Sequence, residues 1–167
     1  MPGAIANAST LIHLASIGRL ELLREFHGKI LIPPAVWQEV VTEGKGRPGS
    51  REVRAARQSK WLEVVPPRNR ALVELLKQEL DEGEAETIAL AVEQQAEVVF
   101  LDEADARRAA EIYGLRKTGV IGILMRAKLQ GKIGSLKKEL DRLREEAGFW
   151  IDEQLYQRAL ESVGEAE

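Results

Sequence analysis

The chain has 167 residues, 44% hydrophobic and 31% charged, with no cysteine and a net charge of −3. That length fits one domain with an ordinary core, and the lack of cysteine excludes disulfide-built and zinc–thiolate folds and fits a reducing, cytoplasmic setting. No apolar run nears the roughly 20 residues of a membrane span, the opening MPGAIANASTLIHLAS lacks the basic stretch of a signal peptide, and the overall charge does not attract nucleic acid.

In chain order, Ala4 to Asn7 is a short apolar segment ahead of a periodic stretch in which Leu11, Leu14 and Ala15 share a face. Leu20 to Phe26 reads as a second short helix, closed by His27-Gly28. Lys29 to Ile32 is of strand type; Pro33-Pro34 stops it, and Pro34 suits the first turn of a helix from Ala35 to Val41. Thr42 to Ser50, with three glycines and one proline, is a loop. A basic helix from about Arg51 to Gln58 follows, then a strand from Trp61 to Val65 ended by Pro66-Pro67.

Leu72, Leu75, Leu76 and Leu80 predict a helix over Asn69 to Leu80, broken at Asp81-Glu82-Gly83. Ala85, Ile88, Ala89 and Val92 lie on one face of the next helix. Glu97 to Leu101 is a short apolar run, as in a parallel strand covered on both faces. Glu103 to Tyr113 is a helix stopped by Gly114, Leu115 to Lys117 a short strand, and Thr118 the expected cap of a helix to about Gln130. Helices over Ser135 to Glu146 and Asp152 to Val163 complete the pattern, and the tail 165–167 is expected to fray. Strands alternating with helices predict an α/β fold, one domain over 1–164 with a mainly parallel sheet.

Four polar residues recur at element junctions: Asn7 at the end of the first strand, Glu39 in the helix after the second, Glu84 opening a helix, and Asp102 ending the strand that follows. Glu86, Glu103 and Asp105 stand close by. Singly, each has an ordinary explanation. Asn7 is a good N-cap, Glu84 favours a helix first turn, and Asp102 with Asp105 three residues on resembles a capping box. Together, at the carboxyl ends of parallel strands, they fit a divalent-metal site better, because clustered acids repel without a cation. Between Glu43 and Lys60 six basic residues (Lys45, Arg47, Arg51, Arg54, Arg57, Lys60) face two acids, Glu43 and Glu52. Such a run is either a solvated face or a phosphate-contacting arm beside the acids.

These segments resemble the PIN-domain family, in the branch of short relatives of VapC-type toxins. The opening IANASTLIHLASIGRLELL is similar to that branch's first strand and helix, LIPPAVWQEVV to its second-strand segment with Glu39 at the acidic position, GEAETIALA to its third acidic motif at Glu84, and VVFLDEADARRAA to its fourth at Asp102. TGVIGILMRAK and GFWIDEQLYQRAL extend the similarity over nearly the whole chain.

The resemblance implies a three-layer α/β/α domain that gathers acids around Mg²⁺ or Mn²⁺ and cleaves RNA. On that basis Asn7, Glu39, Glu84 and Asp102 are the expected catalytic set. Glu39, Glu84 and Asp102 would hold metal, with Glu103 and Asp105 as outer candidates. Ser9 would orient a ligand, and Arg47, Arg51, Arg54 and Arg57 would contact substrate. An antitoxin protein and a homodimer are the implied partners.

One departure stands out: Asn7 occupies the place of the family's first aspartate, and Thr10 a place where proline is expected. An amide oxygen can ligate metal but carries no charge. The alternative to a ribonuclease is therefore a PIN-like nucleic-acid or protein binding module with weakened or lost cleavage. A flavodoxin-like or Rossmann-like small-molecule domain lacks support, since no strand is followed by a glycine-rich turn.

Asp102-Glu103-Ala104-Asp105 spells a helicase signature, but there is no phosphate-binding loop to accompany it, and no G-x-S-x-G elbow supports a serine hydrolase. His13 and His27 are too isolated for a metal pair, and His13 is expected to pack. Trp37 and Trp150 are expected in the core, with a dimer interface as the other reading.

Overall fold

The computed structural model describes residues 3–165. Five short strands form one all-parallel sheet in the order β3-β2-β1-β4-β5: β1 (Ala4–Ala6), β2 (Ile30–Ile32), β3 (Leu62–Val64), β4 (Val98–Phe100) and β5 (Lys117–Thr118). Ala4 pairs with Ile30 on one side and Val98 on the other, which places β1 at the centre. The chain first builds outward through β2 and β3, then returns to the far side of β1 for β4 and β5. The strand order therefore reverses between β1 and β4, where the helices leave a crevice beyond the carboxyl ends of the strands.

Alternation along each strand feeds two cores. Ile5, Leu31, Val99 and Leu101 join the apolar faces of α5 (Arg70–Leu76), α6 (Glu82–Gln94) and α7 (Ala104–Ile112). Ala4, Ala6, Ile30, Ile32 and Phe100 enter the larger core on the other face. That core is built with α1 (Ala8–Ser16), α2 (Glu21–His27), α3 (Pro34–Trp37), α4 (Ser50–Gln58), α8 (Val120–Leu129), α9 (Leu136–Glu146) and α10 (Glu153–Ser162). The result is the expected three-layer α/β/α arrangement. Among the described residues no helix is long and apolar enough to cross a membrane.

Several local expectations are corrected. The helix expected over Ala35 to Val41 is interrupted: α3 passes into a π-helical turn, Gln38–Thr42, with Glu43 N bonding Gln38 O at 2.7 Å. The helix expected to reach Leu80 ends at Leu76, with Asn69 as its side-chain cap. Thr118 does not cap α8; it lies in β5, and Gly119 is the N-cap.

Trp150 is not in the core but 81% exposed. Glu165 accepts hydrogen bonds from the backbone N–H groups of Leu136 and Lys137 and from Ser135 Oγ, which satisfies the start of α9. The rest of the tail, 166–167, lies outside the described residues.

Candidate acidic site at the strand ends

Asn7 follows β1 directly, and its N–H bonds Phe100 O of β4 at 3.1 Å, so it sits at the mouth of the crevice. It is 4% exposed and occupies the N-cap position of α1, yet its side chain makes no capping bond. Its Oδ1 faces α6 instead. A Cβ added to Gly83 would lie 3.2 Å from Glu39 Oε1, 3.6 Å from Asp81 Oδ1 and 3.7 Å from Asn7 Oδ1. Gly83 thus leaves a small cradle rimmed by three oxygens from three separate elements.

Asp81, Glu84 and Gly83 are placed by a capping box. Asp81 Oδ1 accepts from Glu84 N at 2.7 Å, and Glu84 Oε1 accepts from Asp81 N at 3.1 Å. The D-x-x-E signature 81–84 is legible in the sequence, where Asp81 otherwise reads only as a helix breaker. Glu39 enters from the π-helical turn, a distortion that re-aims a side chain relative to a regular helix. Beside them opens a cleft of about 350 Å³ lined by Gln38, Glu39, Glu43, Asp81, Glu82 and Gly83.

The electrostatics show which acids influence one another here. Glu84 is buried, and loss of solvent pushes its pKa up to about 7; the bond from Asp81 N opposes the shift, while Asp81, Glu103 and Asp105 add to it. Much of Glu39 is exposed, but partial loss of water around its carboxylate raises its pKa, and Asp81, Glu103 and Glu43 raise it further. Glu103 is therefore near enough to raise the pKa of both acids. It is held in turn by Ser9 Oγ, which donates to Glu103 Oε2 at 2.8 Å. Asp105 is exposed and ion-paired with Arg108 on its own helix.

Asp102 is used differently. Its Oδ1 accepts from Val120 N, in the first turn of α8, at 2.9 Å. Its Oδ2 accepts from Thr10 Oγ1 at 2.8 Å and lies 3.2 Å from His13 Nδ1. A Cβ on Gly119 would collide with Asp102 Oδ1 and stand 3.1 Å from Leu101 O, so only glycine admits this approach. Asp102 does not cap its own helix, where Glu103 holds the N-cap position without a side-chain bond. His13 does more than pack, since it joins Asp102 to the ring of Phe149, whose centroid is 4.5 Å away. Glu86, near Glu84 in sequence, is turned away to the backbone of Ala35 and to Arg70.

The basic segment packs against the π-helical turn that carries Glu39. α4 lies on the π-helical turn, with Ser50 Oγ donating to Val41 O at 3.2 Å and Val53 and Ala56 buried beneath. Arg47, Arg51 and Arg54 project into solvent, and Arg57 lies over the Trp37 ring at 4.5 Å. Among the described residues none of these four arginines forms an ion pair.

A family model described as a PIN domain matches residues 3–165. The chain belongs to the PIN-domain family. No curated protein matches it. In this PIN domain the oxygen-only donor set suits a hard divalent cation such as Mg²⁺ or Mn²⁺, and the Gly83 cradle is where such donors converge. Among the described residues no three Asp, Glu or His side chains stand together as a group that could hold a metal ion; Glu39, Glu43, Asp81 and Glu82 line the cleft from separate elements. The residues fit such a cation in the kind of donor they offer.

Proposed function

We propose that this PIN domain is a metal-dependent ribonuclease, cleaving RNA phosphodiesters with Mg²⁺ or Mn²⁺ held by Glu39, Asp81, Glu84 and Glu103 and by the amide oxygen of Asn7. The observation that carries this reading is the convergence of Asn7, Glu39 and Asp81 on the Gly83 cradle, beside a buried Glu84 whose proton is held to about pH 7. When bound, the cation would orient a phosphodiester and ease deprotonation of an attacking water. The protein's own part is positional. Asp102 fixes the start of α8 against α1, Ser9 holds Glu103, and the π-helical turn presents Glu39. Arg47, Arg51 and Arg54, free of internal partners among the described residues, suit RNA phosphates.

A toxin's place in a toxin–antitoxin pair, with an antitoxin protein as partner, is the cellular role this reading favours. The deciding experiment is cleavage of an unstructured single-stranded RNA with Mn²⁺, with chelator, and by Glu84→Gln. Cleavage that needs Mn²⁺ and is lost in the variant supports a nuclease. RNA binding without cleavage under every condition supports the second reading, a binding module that Asn7 has deprived of a ligand charge. The observation favouring that reading is that Asn7 stands in the cradle itself, where a neutral oxygen attracts a dication less than a carboxylate does.

A further inference from the structure

Among the described residues, the one large aromatic side chain held almost wholly in solvent is Trp150, 81% exposed. It is not on a frayed segment. On one side Phe149 donates its N–H to Leu143 O at 3.0 Å and sets its ring against His13. On the other side Ile151 is buried and its carbonyl accepts from Arg144 at 3.1 Å. Both neighbours are tied inward, so the indole is presented outward by a fixed backbone. Side-chain contacts link this segment to the end of β4, where the acids begin: the Phe149 ring touches His13, His13 meets Asp102, and Glu103 follows Asp102 in the chain.

We propose that Trp150 is a stacking platform for one unpaired base of an RNA whose backbone enters the acidic cleft, an inference that rests on the ribonuclease reading above. The occupant is argued from chemistry. Arg142 and Arg144, the cations nearest Trp150 in the chain, are committed to Glu139, Glu146 and Glu153, so neither is free to clamp phosphate. The other strongly exposed apolar residues, Leu75, Ile112 and Leu129, belong to other helices, and only Leu155, 39% exposed, lies on the adjoining α10. A stable protein interface needs about 800 Å² per partner, whereas stacking a base needs only one rigid aromatic face.

The test measures equilibrium binding of an unstructured single-stranded RNA and of an abasic strand of equal length to the wild type, Trp150→Ala and Trp150→Phe. Calcium replaces manganese to suppress cleavage. Stacking predicts that the Ala variant binds RNA more weakly by on the order of tenfold while the Phe variant keeps most of the affinity. The abasic strand should bind all three equally, and the salt dependence should not change. Because the indole is exposed, the melting temperature of the Ala variant should match the wild type, which removes misfolding as an explanation. RNA binding that is indifferent to Trp150, or loss of the abasic strand to the same degree, overturns the stacking role and leaves the ribonuclease reading intact. Failure of the wild type to bind RNA at all overturns that reading and this one with it. Dissociation of a wild-type dimer by Trp150→Ala also overturns the stacking role, because the occupant is then a second copy of the chain.

Discussion

Asp102 caps a helix that begins 18 residues later: its Oδ1 accepts the backbone N–H of Val120 at 2.9 Å, at the positive end of the α8 dipole. The same carboxylate takes Thr10 Oγ1 at 2.8 Å, and so ties α1 to α8 across the end of β4. With its side chain 5% exposed, it has little water to replace a lost partner. Asp102→Ala should therefore destabilise the fold by about 1–3 kcal/mol, the cost of leaving such donors unpaired. Thermal melting in chelator reads this directly, since a residue acting only as a metal ligand would leave the chelated protein unchanged or stabilised.

The acids of the cleft should behave in the opposite way. Glu84 has its folded pKa raised to about 7, above the ordinary value of 4.5. A carboxyl of that kind is fully accommodated below pH 4.5, and its contribution to stability is lost as pH rises through about 7. The metal-free protein should lose stability from pH 5 to 8, and Glu84→Gln should remove much of that slope. Metal binding needs the ionised form and releases the proton, so Mn²⁺ affinity should climb over the same interval. Melting curves across this pH range, with and without Mn²⁺, check both; identical slopes for the two proteins would remove Glu84 from the account.

Gly83→Ala separates folding from binding. Gly83 lies in the first turn of α6, where alanine is the better helix former by about 0.5–1 kcal/mol, and Glu39 can yield the few tenths of an ångström that the new methyl requires. The variant should be as stable as the parent or slightly more so without metal. The rise in melting temperature with millimolar Mn²⁺ should shrink or vanish, because the methyl occupies the cradle. A variant that retains the full Mn²⁺ shift places the cation elsewhere.

Asn7→Asp restores a charge to that cradle. At an effective dielectric near 20, two unit charges about 4 Å apart interact by about 4 kcal/mol, so the added carboxylate should tighten Mn²⁺ binding substantially and increase RNA cleavage. Without metal the variant should be less stable, since another acid joins Glu39, Asp81 and Glu84. Calorimetric titration with Mn²⁺ provides the measurement. No gain in affinity or cleavage would favour the binding-module reading.

Reversing Arg51 and Arg54 to Glu should weaken single-stranded RNA binding and flatten its dependence on salt. Each phosphate that is no longer neutralised lowers the logarithmic slope by roughly 0.7, so two should lower it by roughly 1.4. An unchanged slope would show that α4 is a solvated face. Neither arginine has an ion-pair partner to lose among the described residues, so the fold itself should be indifferent to the change.

The sequence by itself determined the element order and the two-faced strands, because hydrophobic periodicity and proline or glycine stops act over a few residues. It placed Asn7, Glu39, Glu84 and Asp102 at element junctions for the same reason, and the 81–84 capping box is legible there with equal ease. The tertiary structure alone decided where those side chains point. Asp102 turns to partners 18, 89 and 92 residues away, while Glu103, one position on, is held by Ser9 and raises the pKa of Glu39 and Glu84. Asn7, the expected cap, aims at Gly83, and Trp150, the expected core residue, is held outward by its two buried or bonded neighbours. A helix pattern records which residues share a face. It carries no record of which strand end that face meets, and the packing of α1, α6, α7 and α8 around the switch between β1 and β4 is what turns Asp102 to Thr10 and Val120 and sets Glu39 and Asp81 along the cleft.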